Sequence, residues 1–241
     1  MYVVLLCFLA VVIWASARLL HASPPPDLVV PAATEQEERA VEIVGDTDPE
    51  DGLYRGPWKK ATATVFWVGE GATDENGFIH NESSAWDVDW REHFGGLDDP
   101  SDRCGYHPCA FTPDENPFYI ALPYNDLRRG RSKENATLIP WFAGPATSTI
   151  LKNRWVEVSV DGTSCFGQWE DVGPFETDDV AYVFGDAEWP ENEEGVGAGI
   201  DLSPAIRDCL SVGDVSEVRW RHVEYDVVPN GPWLSIVTQE E

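Results

Sequence analysis

An all-β domain, a barrel or a sandwich, is what this sequence predicts, and three observations lead there. Short segments alternate apolar and polar residues or are dense in β-branched and aromatic side chains; long Gly- and Pro-punctuated connections separate them; few stretches carry a helical period. The 241 residues leave room for one sizeable domain with additions, and no repeat at solenoid spacing is present.

In chain order, Val3 to Ala15 is an unbroken apolar run that ends in the small-residue pattern Ala15-Ser16-Ala17. Such a run is short against the roughly 20 residues of a membrane span. Residues 1–22 therefore read as a signal peptide or a membrane anchor, with a plain buried helix as the third alternative. Either of the first two places the rest of the chain outside the cytoplasm, as a periplasmic, secreted or cell-surface protein. Residues 23–57 read as an acidic, Pro-containing linker, opened by Ser23-Pro24-Pro25-Pro26 and with a short helix at Glu35 to Val44. Asp46 to Gly52 faintly resembles a calcium loop, but its glycine is one place late and no closing Glu follows.

The folded domain spans 58–241. Ala61 to Gly69, Phe118 to Pro123, Trp155 to Val160, Ser164 to Glu170, Glu217 to Val227 and Trp233 to Thr238 are the strand candidates. Ser84 to Phe94 and Pro204 to Leu210 are the helix candidates, the second with Ser203 as N-cap.

Composition excludes several classes. The formal charge is −27, with 43 acidic and 16 basic residues, which argues against nucleic acid and anionic membrane surfaces as partners. Contact with a membrane is expected only through the N-terminal segment. No Gly-x-Ser-x-Gly elbow and no phosphate-cradling glycine loop is present, so neither a serine nucleophile nor a nucleotide cofactor is expected. Past residue 22 stand Cys104, Cys109, Cys165 and Cys209. Four cysteines in an exported chain point to two disulfides with three possible connectivities. The expected one pairs Cys104 with Cys109 as a loop clip and Cys165 with Cys209 as a longer staple. Metal is not expected, because no second Cys/His pair stands at zinc-like spacing.

The most informative stretch holds Glu170-Asp171-Val172-Gly173-Pro174-Phe175 and, further on, Gly199-Ile200-Asp201-Leu202-Ser203-Pro204-Ala205. This pair resembles the Asp-x-Gly-Pro-Phe and Ile-Asp-Leu-Ser-x-Ala signatures of the rare-lipoprotein-A-like double-psi β-barrel family. Residues 118–123 (FYIALP) resemble that family's strand ending in Leu-Pro. Expansins, family 45 endoglucanases and MltA-type lytic transglycosylases are relatives by fold. The resemblance implies a six-stranded double-psi β-barrel with long loop insertions and one or two short helices, its two acids pointing into one groove. It departs from the pattern where Val172 replaces the usual arginine and where Tyr119 occupies the groove-histidine position.

The implied activity is on polysaccharide, peptidoglycan or β-glucan, with Asp201 as general acid and Asp171, Glu70 or Asp126 as a second carboxylate. A one-acid lytic transglycosylase needs only Asp201; a glycoside hydrolase needs a partner. Tyr119, Trp86, Trp90, Trp141 and Trp189 are the candidate sugar-binding aromatics among 11 tryptophans. Two readings of another class stand beside the enzyme: a non-catalytic, expansin-like carbohydrate-binding module, and a structural exported domain whose motif acids only hold their turns.

Overall fold

The computed structural model describes residues 46–47, 52–74 and 76–239. The expected N-terminal segment 1–22, the helix at 35–44 and most of the calcium-like loop lie outside them.

Six strands close into a mixed barrel: β1 (Lys59–Val65), β2 (Tyr119–Leu122), β3 (Arg154–Val160), β4 (Thr163–Val172), β5 (Ala198–Leu202) and β6 (Val215–Val223). Around the barrel the order is β1-β5-β2-β4-β3-β6, and β6 returns to β1. β5 runs parallel to β1 and β4 parallel to β2, while the other four pairings are antiparallel. Thus the predicted all-β barrel class holds. Three short α-helices accompany it among the described residues: α1 (Trp90–Phe94), α2 (Val180–Val183) and α3 (Pro204–Leu210).

Local chemistry explains the regular elements. β3 and β4 join through Asp161-Gly162, both at positive φ (49° and 85°), the conformation of the two-residue turn whose twist matches the strands it connects. Along β2 the side chains alternate: Ile120 and Leu122 enter the main core with Ala61, Ala63, Val156, Val158 and Trp220. Tyr119 and Ala121 enter a second core with Phe66, Val68, Trp90 and Phe94. α3 starts where expected: Ser203 Oγ accepts from the Ile206 N–H at 3.3 Å and Pro204 fills the first turn. The helix seats Ile206 against Gly167, where a Cβ would come within 2.7 Å of both Ile206 Cδ1 and the Phe118 carbonyl.

Three expected elements differ. The helix predicted over Ser84 to Phe94 forms only at Trp90–Phe94. Upstream, Ser84 Oγ accepts from the Trp86 and Asp87 N–H groups, a local bond that competes with the helical ladder. Trp233 to Thr238, expected to close the sheet, is not a strand. β6 and β3 already close the barrel, so no edge remains for it. The segment instead makes a 3-10 turn at Pro232–Leu234, stacks Trp233 on Phe166 (ring centroids 5.1 Å apart), and bonds Thr238 N and O to the Gln168 amide. β6 also stops at Val223, four residues earlier than the alternation implied, and gives way to a 3-10 turn at Tyr225–Val227.

Both disulfides have the expected pairing, Cys104–Cys109 and Cys165–Cys209. The first clips a hairpin that Arg103 joins to Asp98; the second ties α3 to β4. Chain-entropy arguments make the staple, closing 44 residues, worth about 4 kcal/mol, and the clip, closing 5, roughly half that. Cys165→Ala/Cys209→Ala should therefore lower the free energy of urea unfolding about twice as much as Cys104→Ala/Cys109→Ala. Equal losses would contradict that assignment.

Candidate functional site

The two motif acids meet across one small residue. In register, Ala121 on β2 faces Asp171 on β4 to one side and Asp201 on β5 to the other; Asp201 in turn faces Thr64 on β1. Residues level with one another on neighbouring strands share a sheet face, so Thr64, Asp201, Ala121 and Asp171 form one row. That face is the one carrying Tyr119 and the second core. A register irregularity precedes each acid, between Trp169 and Asp171 and between Ala198 and Ile200. An extra residue reverses which face the following side chains take, so the bulge at Glu170 brings Asp171 into the row after Trp169 has entered the core.

The two acids are held differently. Asp171 is buried, and its Oδ1 accepts from the Ala85 and Val172 N–H groups, both at 2.7 Å. Asp201 is only partly buried; its Oδ1 accepts from the Thr64 hydroxyl, and its Oδ2 faces Gly173, where a Cβ would stand 3.7 Å away. Burial pushes the Asp201 carboxyl up to about 7, the Thr64 bond opposes the rise, and the charges of Asp171 and Glu70 add to it. Burial raises Asp171 to about 6 against its two backbone bonds. Glu70 is buried with Asn81 Nδ2 donating to it at 2.8 Å, and burial raises it as well. Near neutral pH this row therefore contains a carboxyl poised to give or take a proton.

The other expected residues are placed elsewhere. Asp126 is buried and bound by the Thr149 hydroxyl (2.7 Å) and the Ile150 N–H (3.0 Å), and so organises the 149–150 segment. Tyr119 is buried: its hydroxyl donates to Asp98 (2.8 Å) and accepts from the Val68 N–H (3.0 Å), tying the 66–117 insertion to the barrel. Trp90 is buried against Tyr119, so neither ring offers a face to solvent. Trp86 is partly buried, edge-on to Trp169 with its indole N–H on Asn125 Oδ1 (3.3 Å). Trp189 is 47% exposed. Trp141 lines a separate cleft with Tyr54 and His222.

Two residues of the site were not singled out by sequence reasoning. Thr64 sits in a strand of alternating Ala and Thr, and only the register reveals its bond to Asp201. Phe175 ends the Asp-x-Gly-Pro-Phe signature, and that was its signal. It has φ +56° and is 38% exposed after the cis Gly173–Pro174 peptide. Its ring lies where a Cβ on Gly77 would approach within 2.9 Å, and it also borders Gly195, so it links the loops that carry those two glycines.

Among the described residues no group of three or more His, Cys, Asp or Glu side chains is arranged to hold a metal ion. No family model matches the chain, and no curated protein matches it. Among solved structures, a Streptomyces papain inhibitor is similar at 15% identity, covering 70% of this chain and 96% of its own, with a TM-score of 0.30.

The raised carboxyl has a thermodynamic consequence. A carboxyl whose folded pKa lies near 7, against 3.8 ordinarily, leaves the folded state holding more protons than the unfolded one between those values. Asp201 thus contributes stability that is complete at low pH and is lost as pH rises from about 4 through 7. Asp201→Asn removes the titration: the variant should gain on the wild type from pH 4 to pH 8, by a few kcal/mol at most. Thermal melts of both proteins across that range measure it, and a pH-independent difference would contradict the shift.

Proposed function

We propose that this chain is an exported, polysaccharide-active double-psi β-barrel protein in which Asp201 is the general acid. The observation that carries this reading is the contrast between its two acids. Asp201 is partly open to solvent, bound by one hydroxyl, and raised to about 7 by burial and by neighbouring carboxylates. Asp171 is occupied by two backbone N–H groups and therefore serves best as the group that raises Asp201. The two disulfides suit an oxidising, extracytoplasmic setting, and the acids come from the two motifs that resemble the family.

One free acid favours a lytic transglycosylase over an inverting hydrolase, which needs a second carboxylate to activate water. Asp201 donates its proton to the glycosidic oxygen as the C1–O bond breaks. The resulting carboxylate then takes the proton of the sugar's own C6 hydroxyl, whose oxygen bonds to C1. The products are an anhydro-sugar end and a chain with a new free hydroxyl. No water enters the balance. Peptidoglycan is the substrate this chemistry fits, with β-glucan the alternative for hydrolysis.

A second reading is a non-catalytic, expansin-like binding or structural domain. The backbone bonds to Asp171 favour it, because they are what a turn-holding aspartate makes.

The test is product analysis by mass spectrometry after incubation with peptidoglycan sacculi and, separately, soluble β-glucans. Anhydro ends from sacculi, reduced roughly 100-fold or more in Asp201→Asn, are the expected result. Hydrolytic reducing ends would make the protein a glycosidase. Pull-down of a polymer by a folded protein that releases nothing would leave the binding reading in its place.

A further inference from the structure

A second cleft lies where β3 begins and β6 ends, and it shares no residue with the Asp201 row. It encloses ≈ 400 Å³, within the range of small-molecule sites. Its walls are aromatic: Tyr54 stands edge-on to Trp141 (centroids 6.4 Å apart), and Trp155 is tilted against Tyr225 (6.0 Å). Tyr225 is 58% exposed and forms an open rim.

The floor contains polar atoms without a bonding partner among the described residues. Both ring nitrogens of His222 and the Oδ1 of Asn153 are buried and accept or donate no hydrogen bond among the described residues. Buried polar groups are nearly always satisfied, so two unsatisfied residues lining one cleft call for a partner that ordered water or the hydroxyl of a bound molecule supplies. His222 lies parallel to the Phe184 ring (5.1 Å, 12°) and stacks on Trp169 (5.6 Å, 28°). Burial among these rings, helped by the charges of Lys59 and Arg154, lowers it to about 3 and keeps it neutral. A neutral imidazole offers one donor and one acceptor, and Asn153 Oδ1 offers an acceptor. Their partner must both donate and accept, as a hydroxyl does and a carboxylate does not.

Charge narrows the class further. Arg154, its guanidinium 4.9 Å from the Trp141 ring, and Glu224 bring opposite charges to the rim. Lys152 also lines the cleft, but its ammonium lies 3.7 Å from the Asp87 carboxylate. With both signs present, neither an anion nor a cation is selected. Aromatic walls suit the apolar face of a ring, and the floor suits hydroxyls.

We propose that this cleft is a carbohydrate-binding site for a neutral pyranose, distinct from the Asp201 row and independent of whether that row is catalytic.

The test is isothermal titration calorimetry and saturation-transfer NMR on the full chain with cellotetraose, chitotetraose and, as a planar anion, benzoate. Either tetrasaccharide should bind, and Asp201→Asn should bind it equally. Tyr225→Ala, at an exposed position that leaves the core intact, should weaken binding about tenfold, the scale of one lost aromatic contact. Trp141→Ala, checked for folding by circular dichroism, should weaken it at least as much. Failure of both sugars to bind, binding of benzoate in their place, or sugar binding lost in Asp201→Asn and untouched in Tyr225→Ala would each overturn the proposal.

Discussion

The structure depends on a strand of four residues that is buried on both faces. Tyr119, Ile120, Ala121 and Leu122 are each 1% exposed or less. Most barrel strands divide their side chains between core and water. Here Ile120 and Leu122 fill the barrel, while Tyr119 and Ala121 sit beneath the inserted 66–117 region. The insertion is thus part of the core and not an ornament on it. Tyr119 is its anchor: the hydroxyl lies between the Val68 N–H and Asp98, and Asp98 accepts from Arg103 of the clipped hairpin. Tyr119 therefore acts as a structural bolt and offers no ring face to a groove. Ala121 completes the arrangement, because it lies between two acids and brings almost no volume of its own.

Burying that face sets the electrostatics. Asp201, Asp171 and Glu70 are desolvated to different degrees, Asp201 the least closed off, and each carboxyl rises because its charged form loses solvation. Glu170, in the bulge, has neither oxygen bonded within the described chain, and burial pushes it well toward its neutral form. His222 moves the other way for the same reason, since burial disfavours its cation. The two kinds of group have opposite linkage. The carboxyls stabilise the fold at low pH and cease to do so as pH rises. Neutral His222 contributes stability above its ordinary value of 6.5 that is lost as pH falls toward 3. The two act in opposite directions, so a single-residue variant is the way to isolate either one.

Local chemistry was legible in the sequence, and three-dimensional coincidence was not. The strand-to-helix junction at Asp201, the Ser203 cap and the strand of alternating residues at 154–160 rest on neighbours in the chain. The disulfide clip is local too, and the staple follows once the clip is made. What failed to show was register. Nothing near Thr64 marks it as the partner of Asp201, 137 residues away. The bulges are equally silent, yet they decide which face each acid takes. Aromatic residues misled for a related reason: Trp86 and Trp90 are four apart like the stripe of a helix, but serine and aspartate side chains hold residues 84–87 out of one. Trp90 then went to the core and Trp86 to its margin. The second cleft draws on Tyr54, Trp141, Asn153 and His222, four distant positions that only barrel closure brings together.

The large negative charge bears on how a glycan ligand would be held. At −27 the protein gains nothing from long-range attraction to an acidic polymer and is repelled by it. Neither proposed site depends on such attraction. Beside Asp201 the charged neighbours are Asp171 and Glu70, so a negative group on the sugar there would raise the energy of the complex. At the cleft, Arg154 and Glu224 offset one another across aromatic walls. A glycan at either place would therefore be held by stacking and by hydroxyl hydrogen bonds, forces that salt screens little. One side chain touches the two regions: Trp169 stacks on His222 and donates its indole N–H to the Asp171 carbonyl at 2.7 Å. The floor of the cleft and the strand that carries the second acid are consequently packed as one body.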